Sequence, residues 1–144
     1  QDNQSYSSKG TLRGLHFQKG DDAQAKLVRV TKGSAYDVAV DLRPDSPTFK
    51  QWHGVELSEE NHLQFFIPRG FAHGFIVLSE EAILAYKVDN YYNPECDRGF
   101  DFDDKIIGID WKLTPKQIQL SSKDIHQPLF KDAEYFDNKL NLYV

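Results

Sequence analysis

The sequence predicts a single all-β domain, for three reasons. Apolar and polar residues alternate with a period of two along most of the chain, and Gly, Pro, Asn and Asp separate the alternating segments. The 144 residues suffice for one domain with one core, which we place at residues 1–144. Hydrophobic residues make up 40% and aromatic residues 13% of the chain, which argues against a disordered protein. Short strands at intervals of about ten residues are typical of a β-sandwich, a jelly roll or a small barrel, and periodicity does not decide among the three.

Seven segments show the alternation that is typical of half-buried strands. In chain order, the predicted strands are residues 12–18, 26–31, 35–42, 51–57, 62–67, 72–78 and 82–89. The turn at residues 32–34, Lys-Gly-Ser, has the length and composition of a hairpin connection, and residues 58–61 predict a second hairpin. After residue 93 the alternation gives way to Pro, Gly and Asp, and only residues 114–125 favour short helices.

Charge and cysteine content exclude several classes of protein. The 17 Lys and Arg residues against 22 Asp and Glu give a net charge of -5, so there is no basic field to hold a nucleic acid. No apolar run approaches the roughly 20 residues that cross a bilayer, so no membrane partner is expected. The single cysteine, Cys96, forms no internal disulfide and favours a reducing compartment, with the cytoplasm as the default. The sequence contains no methionine, and we expect that it starts part-way through a reading frame.

Two polar residues alternate in step with apolar residues of their predicted strands, so they share a strand face with them. Lys26 alternates in phase with two valines of its strand, and Tyr86 alternates in phase with Leu84 and Val88. Burying an unpaired ammonium is costly, so a lysine on an inner face lines a wet cavity or meets an anion. Ordinary alternatives stay open at this point: Lys26 snorkels to the surface at the start of its strand, and the Tyr86 hydroxyl reaches the rim.

His16 and His73 are candidate functional histidines, because both lie among apolar or small neighbours. A hydrogen-bonded structural histidine is the common alternative for each of them. A metal site is not expected, because the sequence has no His-x-His pair and a lysine in the same cavity would repel a divalent cation. The sequence also lacks a Gly-x-Ser-x-Gly nucleophile elbow and a phosphate-binding glycine loop. Asp124 is an ordinary loop carboxylate unless it folds back onto a histidine, and that contact is not visible in the sequence.

Six strings of residues occur in a fixed order along the chain. They are GTLRGLHFQ at 10–18, KLVRV at 26–30, YDVAVDLR at 36–43, SPTF at 46–49, IPRGFAHGF at 67–75 and GIDW at 108–111. In these strings the sequence resembles the dTDP-4-dehydrorhamnose 3,5-epimerase family, and the resemblance runs from residue 1 to about residue 130. It implies a cupin-type jelly-roll barrel with short C-terminal helices, a homodimer, and an enzyme without metal or cofactor. It further implies that the substrate is dTDP-4-dehydro-6-deoxy-D-glucose, inverted at C3 and C5 for dTDP-L-rhamnose biosynthesis.

The resemblance also implies roles for individual residues. The implied catalytic residues are His16 as base, Asp124 as its carboxylate partner, Lys26 near the 4-keto oxygen and Tyr86 as general acid. The implied substrate-binding residues are Arg13, His73, Gln1 and Asn3. Family members carry an amino-terminal arm before the position of Gln1, which we expect to be missing from this sequence.

Three alternative functions remain open on the sequence. A mono-epimerase acting on C5 or C3 alone, or a ketoisomerase acting on a related dTDP-4-keto sugar, would share the catalytic residues. A non-catalytic jelly-roll module that binds carbohydrate would use Lys26, Tyr86, His16 and Asp124 as rim or structural residues.

Overall fold

The computed structural model describes residues 1–136, 142 and 143. Ten strands form in the described part of the chain: β1 (Asp2–Ser8), β2 (Thr11–Gln18), β3 (Lys26–Lys32), β4 (Ser34–Asp41), β5 (Trp52–Ser58), β6 (Gln64–Ile67), β7 (Phe71–Val77), β8 (Glu81–Val88), β9 (Asp97–Gly99) and β10 (Gln119–Leu120). One α-helical turn, α1 (Ser122–Ile125), follows β10, and 3₁₀ turns occupy Gly20–Asp22, Pro115–Gln117 and Phe130–Asp132. The seven predicted strands and the short helices within 114–125 are thereby confirmed, but the 3₁₀ turns at 20–22 and 130–132 lie outside the only range predicted for helices.

The strands form two sheets that face each other. The smaller sheet has the order β1-β8-β3-β6, and the larger has the order β10-β2-β7-β4-β5, with β9 paired to β2. All pairings are antiparallel except that of β10 with β2. Successive strands β1 to β4 alternate between the sheets, as do β5 to β8. This two-sheet arrangement is a jelly roll, so the predicted fold class is confirmed.

Both predicted hairpins are wrong. β3 pairs with β6 and β8, whereas its predicted partner β4 pairs with β5 and β7 in the other sheet. The turn at Gly33, with φ of 74°, therefore carries the chain from one sheet to the other. β5 and β6 are separated in the same way. A short glycine-containing turn serves a hairpin and a sheet-to-sheet crossing equally well, and burial of both strands' apolar faces decides between them.

Strand β1 was not predicted, because its sequence is polar and shows no apolar alternation. It forms through pairing with β8, in register from Asp2 opposite Lys87 to Ser8 opposite Glu81. The two short strands β9 and β10 are likewise defined by their pairing with β2. In all three cases the strand forms because it pairs with a neighbouring strand, and its own sequence pattern does not predict it.

Two apolar clusters hold the fold together. The first lies between the sheets and includes Val28, Phe75 and Leu84, each at most 6% exposed. The second lies on the outer face of the larger sheet, where Phe100 and Trp111 of the C-terminal segment cover it. The larger sheet is therefore buried on both faces, while polar side chains occupy one part of the space between the sheets. Within the described residues, no helix has the length and apolar character needed to cross a membrane.

Candidate active site

A cavity opens between the two sheets. It has two adjoining lobes of about 260 and 380 Å³, and both are lined by His16, Lys26 and Tyr86. The larger lobe alone falls within the range of small-molecule sites, about 300–1,000 Å³. All eight residues singled out in the sequence line these lobes: Gln1, Asn3, Arg13, His16, Lys26, His73, Tyr86 and Asp124. The structure therefore brings the predicted site together, while the roles of its residues stay predictions.

His16 reaches the cavity through an irregularity in β2. The register of β2 against β7 shifts between Arg13 and His16, so both side chains lie on the inner face although they are three residues apart. Gly14 within the bulge has φ of 130°, and a Cβ there would lie 2.6 Å from the Cα of Gly74. A larger residue at this position would push β2 away from β7.

Asp124 holds the His16 ring. The two residues are 108 positions apart in sequence, and His16 Nε2 lies 2.5 Å from Asp124 Oδ1. The Asp124 side chain is 1% exposed, and it also accepts a hydrogen bond of 2.8 Å from the Ser121 hydroxyl at the start of α1. Burial works to raise the pKa of Asp124, but the His16 contact and the Ser121 hydroxyl outweigh it and hold that pKa below its usual value. An ionised Asp124 can only accept hydrogen bonds, so His16 Nε2 carries the proton. The other ring nitrogen, Nδ1, is therefore the one left for a ligand.

Lys26 lies on the inner face of β3, as its parity predicts. Its ammonium makes no hydrogen bond or ion pair with any residue of the described chain. Burial lowers the pKa of Lys26 to about 8, and the negative charges of Asp37 and Asp97 limit that fall. The group is therefore mostly protonated at neutral pH and unpaired, which suits an ammonium that awaits a negatively charged ligand atom.

Tyr86 faces the cavity from β8, in the sheet opposite to His16. Burial raises the pKa of its phenol, and the charge of Arg13 opposes this. The hydroxyl is therefore protonated at neutral pH and can donate a proton or a hydrogen bond. Asn3 is paired with Tyr86 across β1 and β8, and it accepts a 3.0 Å hydrogen bond from Gln1 Nε2 at the mouth of the smaller lobe.

His73 forms a second histidine–carboxylate pair. Its Nε2 lies 2.9 and 3.0 Å from the two oxygens of Asp37 on the neighbouring strand β4. Both side chains are buried, and His73 lies directly opposite His16 in the pairing of β2 with β7. The cavity is thus bordered by two imidazoles, each held at Nε2 by a carboxylate.

The family model of dTDP-4-dehydrorhamnose 3,5-epimerase matches residues 1–132. The chain belongs to the dTDP-4-dehydrorhamnose 3,5-epimerase family. It is therefore an isomerase, and the enzyme class predicted from the resemblance is confirmed. This assignment sets aside the non-catalytic carbohydrate-binding module.

Relatives and solved structures agree with the family assignment. The dTDP-4-dehydrorhamnose 3,5-epimerase of Salmonella typhimurium is 53% identical over 133 residues, which cover 92% of this chain and 72% of the relative. The crystal structure of the Elizabethkingia anophelis epimerase superposes with a TM-score of 0.91 at 57% identity, covering 92% of this chain and 72% of that one. A Legionella pneumophila epimerase in complex with dTDP-4-keto-L-rhamnose gives a TM-score of 0.85 at 54% identity, covering 90% and 68%.

Sequence reasoning missed several residues of the epimerase cavity. Asp37 shares strand parity with the buried Ala35 and Ala39, but Val38 and Val40 on the opposite face are buried as well, so alternation does not show which face of β4 meets the cavity. Asp97 and Lys123 form an ion pair at the cavity mouth, but neither lies in a long alternating strand and no sequence signal joins them. In the described part of the chain, no three His, Cys, Asp or Glu side chains are grouped as metal ligands. The expected absence of a metal requirement stays a prediction.

Proposed function

We propose that the chain inverts C3 and C5 of dTDP-4-dehydro-6-deoxy-D-glucose to give dTDP-4-dehydro-L-rhamnose, without metal or cofactor, in dTDP-L-rhamnose biosynthesis. One observation carries the proposal: the His16–Asp124 pair and the Tyr86 hydroxyl enter one cavity from opposite sheets, and the Lys26 ammonium lines the same cavity. An inversion needs a base on one side of a carbon and an acid on the other. The arrangement supplies both.

His16 is the base in this proposal. The C4 ketone acidifies the hydrogens on C3 and C5, so an imidazole with its free Nδ1 in the cavity removes either one. The proton moves to Nδ1, the C–H electron pair moves into the ring, and the keto oxygen becomes an enolate oxygen. Asp124 stabilises the resulting imidazolium through the 2.5 Å contact at Nε2.

Lys26 stabilises the enolate. Its ammonium is unpaired within the described residues and partly desolvated, so its attraction to a developing oxyanion is stronger than it would be in water. Among the described residues no carboxylate contacts it directly, although the charges of Asp37 and Asp97 limit the fall of its pKa. The proposal therefore places the C4 oxygen beside Lys26 Nζ.

Tyr86 returns the proton from the opposite side. Because β8 belongs to the smaller sheet and β2 to the larger, the phenol and the imidazole flank a sugar ring bound between the sheets. The phenol donates its proton to the carbanion carbon, which inverts the centre. Tyr86 then regains a proton and His16 releases one through solvent, so each inversion is balanced.

The nucleotide part of the substrate is proposed to lie toward the mouth. Arg13 is exposed beside the larger lobe, and Gln1 and Asn3 form the hydrogen-bonded rim of the smaller lobe. A guanidinium and two amides suit a diphosphate and its neighbouring sugar. The relative from Legionella pneumophila, solved with dTDP-4-keto-L-rhamnose, supports a dTDP-sugar as the ligand class.

Proton exchange tests the proposal directly. The protein is incubated with dTDP-4-dehydro-6-deoxy-D-glucose in deuterated water, and the C3 and C5 proton signals are followed by NMR. Loss of both signals is expected. Loss at one position alone would point to a mono-epimerase, and loss at neither would refute a proton-transfer enzyme. EDTA should leave the rate unchanged, and inactivation by EDTA would revive a metal site.

Variants assign the exchange to His16. His16→Ala should abolish exchange at both carbons while thermal unfolding shows a folded protein. The matched control is His62→Asn, because His62 is an exposed histidine in the turn before β6 with φ of 55°, a conformation that Asn tolerates. Retained exchange in His16→Ala would remove His16 from the role of base.

The homodimer and the cytoplasmic location belong to the same proposal. The outer face of the smaller sheet exposes Tyr6 and Phe66, at 61% and 58%, next to Ile83 and Leu27 of the neighbouring strands. Apolar side chains grouped on one sheet face are typical of a surface that a second copy covers. Light scattering should give a mass about twice the 16.6 kDa of the chain, and a monomer at micromolar concentration would contradict this part of the proposal.

A further inference from the structure

The His73–Asp37 pair has no part in the proton transfers proposed above. Asp37 is 0% exposed and His73 is 8% exposed, and each is the other's hydrogen-bond partner. A wholly buried carboxylate on the inner face of a strand is costly unless its oxygens are satisfied. Both oxygens of Asp37 are satisfied by one ring nitrogen of His73, so the pair forms a closed unit.

This contact fixes where the His73 proton lies. An ionised carboxylate accepts hydrogen bonds and cannot donate one, so the nitrogen that faces it carries a hydrogen. The facing nitrogen is Nε2, at 2.9 and 3.0 Å. The other ring nitrogen, Nδ1, makes no hydrogen bond to any described residue, and the ring lines the larger lobe of the cavity. Nδ1 is therefore the nitrogen that a ligand meets.

The position of the pair places that nitrogen near the reacting sugar. His73 is directly paired with His16 on the neighbouring strand, so their side chains project from the same face of the sheet. The sugar that His16 deprotonates must therefore also lie within reach of His73. Ring hydroxyls are the donors that such a sugar offers to a neutral imidazole nitrogen.

We propose that Asp37 is a positioning residue that holds His73 in its Nε2–H tautomer, so that Nδ1 accepts a hydrogen bond from a hydroxyl of the sugar ring. This inference rests on the proposed function for its ligand, but the tautomer itself is a property of the free protein. Asp37 contributes to binding through His73 and does not touch the substrate. A rival explanation is that Asp37 acts on Lys26, whose pKa its charge also supports.

The tautomer is measured first, in the free wild-type protein. Nitrogen-15 NMR of labelled histidines distinguishes the Nε2–H tautomer, the Nδ1–H tautomer and the imidazolium. His73 should show the Nε2–H form, and Asp37→Asn should add a population of the Nδ1–H form, because an amide both donates and accepts. An Nδ1–H or imidazolium signal in the wild type would overturn the proposal. This measurement does not depend on turnover, so it stays informative even if the protein fails to exchange protons.

Kinetics then test whether Asp37 acts through His73 or through Lys26. Asp37→Asn should raise KM about tenfold and keep kcat within about threefold, because a hydrogen bond made equally to substrate and transition state affects binding alone. A fall in kcat at unchanged KM would instead show that Asp37 acts on enolate stabilisation by Lys26, and would refute the proposal. His73→Asn retains a polar group near the position of Nδ1 and His73→Gln retains one near Nε2, so the asparagine variant should keep the lower KM.

A double variant and a matched control complete the test. In the His73→Asn background, Asp37→Asn should cause no further rise in KM, since no tautomer remains to be fixed. A full tenfold rise in that background would overturn the inference. The control is Asp41→Asn, because Asp41 is a carboxylate of the same strand, 1% exposed, that bonds to Arg43, Ser46 and Thr48 away from the cavity. It should lower the melting temperature and leave KM unchanged.

Discussion

Replacing Asp124 by asparagine removes one charge from the candidate base and changes little else in size. The carboxylate is 1% exposed, lies 2.5 Å from His16 Nε2 and is held by the Ser121 hydroxyl at 2.8 Å. Asparagine can occupy the same space, and its oxygen can still accept from one donor. In the proposed mechanism, however, the protonated His16 that forms on proton abstraction loses its counter-charge.

The size of the effect follows from Coulomb's law. Two unit charges about 4 Å apart interact by about 4 kcal/mol at an effective dielectric constant of about 20. Because the imidazolium exists after proton abstraction and not before, this stabilisation is lost mainly from the transition state. Each 1.36 kcal/mol is a factor of ten, so Asp124→Asn should slow exchange at C3 and C5 about a thousandfold.

The assay is the deuterium wash-out, with initial rates measured at saturating substrate and at several substrate concentrations. KM should change much less than the rate, since the lost charge acts on the imidazolium that the proposed mechanism forms and not on substrate binding. Asp104→Asn is the matched control, because Asp104 is a buried carboxylate that caps backbone N–H groups of Ile106 and Phe130 outside the cavity. Exchange in Asp124→Asn within tenfold of the wild type, in a protein with an unchanged melting profile, would refute the role of the pair.

Three further predictions follow from the same structure. Activity should fall as pH rises through about 8, because the Lys26 ammonium loses its proton there; a rate that is flat from pH 7 to 10 would contradict its role at the enolate. Tyr86→Phe should retain wash-out while product formation falls at least about a hundredfold, because abstraction survives and reprotonation from the opposite side does not; NMR measures both in one sample, and unchanged product formation would exclude Tyr86 as the acid. Asp41→Asn should lower the free energy of unfolding by about 2–4 kcal/mol. The Arg43, Ser46 and Thr48 contacts outweigh burial and hold the pKa of Asp41 far below 3.8, so this contribution is present above pH 3.8 and is lost as the pH falls through the folded value. Urea titrations at pH values from 7 to below 3 check it, and the difference between the two proteins should narrow only below pH 3.8.

Strand positions were predictable, but strand pairing was not. The alternation of residues in β3 and β8 is set by which face of each strand is buried, and that pattern is local. Pairing depends on which strands lie side by side after the chain has crossed between sheets, and the short turn at Gly33 carries no signal for this. The polar strand β1 shows the same limit, because its order comes from β8 and not from its own residues.

The same distinction between local pattern and long-range contact applies to the residues of the site. Parity put Lys26 and Tyr86 on the same strand face as apolar neighbours and left a rim position open for each, whereas for Asp37 it gives no answer because both faces of β4 are buried. The inner position of His16 depends on the bulge in β2, and its contact with Asp124 spans 108 residues, so neither follows from local pattern. The resemblance to the family supplied those residues, which periodicity alone would have missed.

The crossings between the two sheets bear directly on the proposed chemistry. If each turn had joined neighbours within one sheet, base and acid would have projected from a single wall and reached the same side of a bound sugar. Because the chain crosses between the sheets at five of the six connections from β2 to β8, these two strands belong to different walls, and His16 and Tyr86 enter the cavity from opposite sides. A proton taken by one and returned by the other inverts the carbon between them, whereas two groups on one wall would only exchange its hydrogen. The crossings between the sheets therefore give the proposed inversion a base and an acid on opposite sides of the sugar ring.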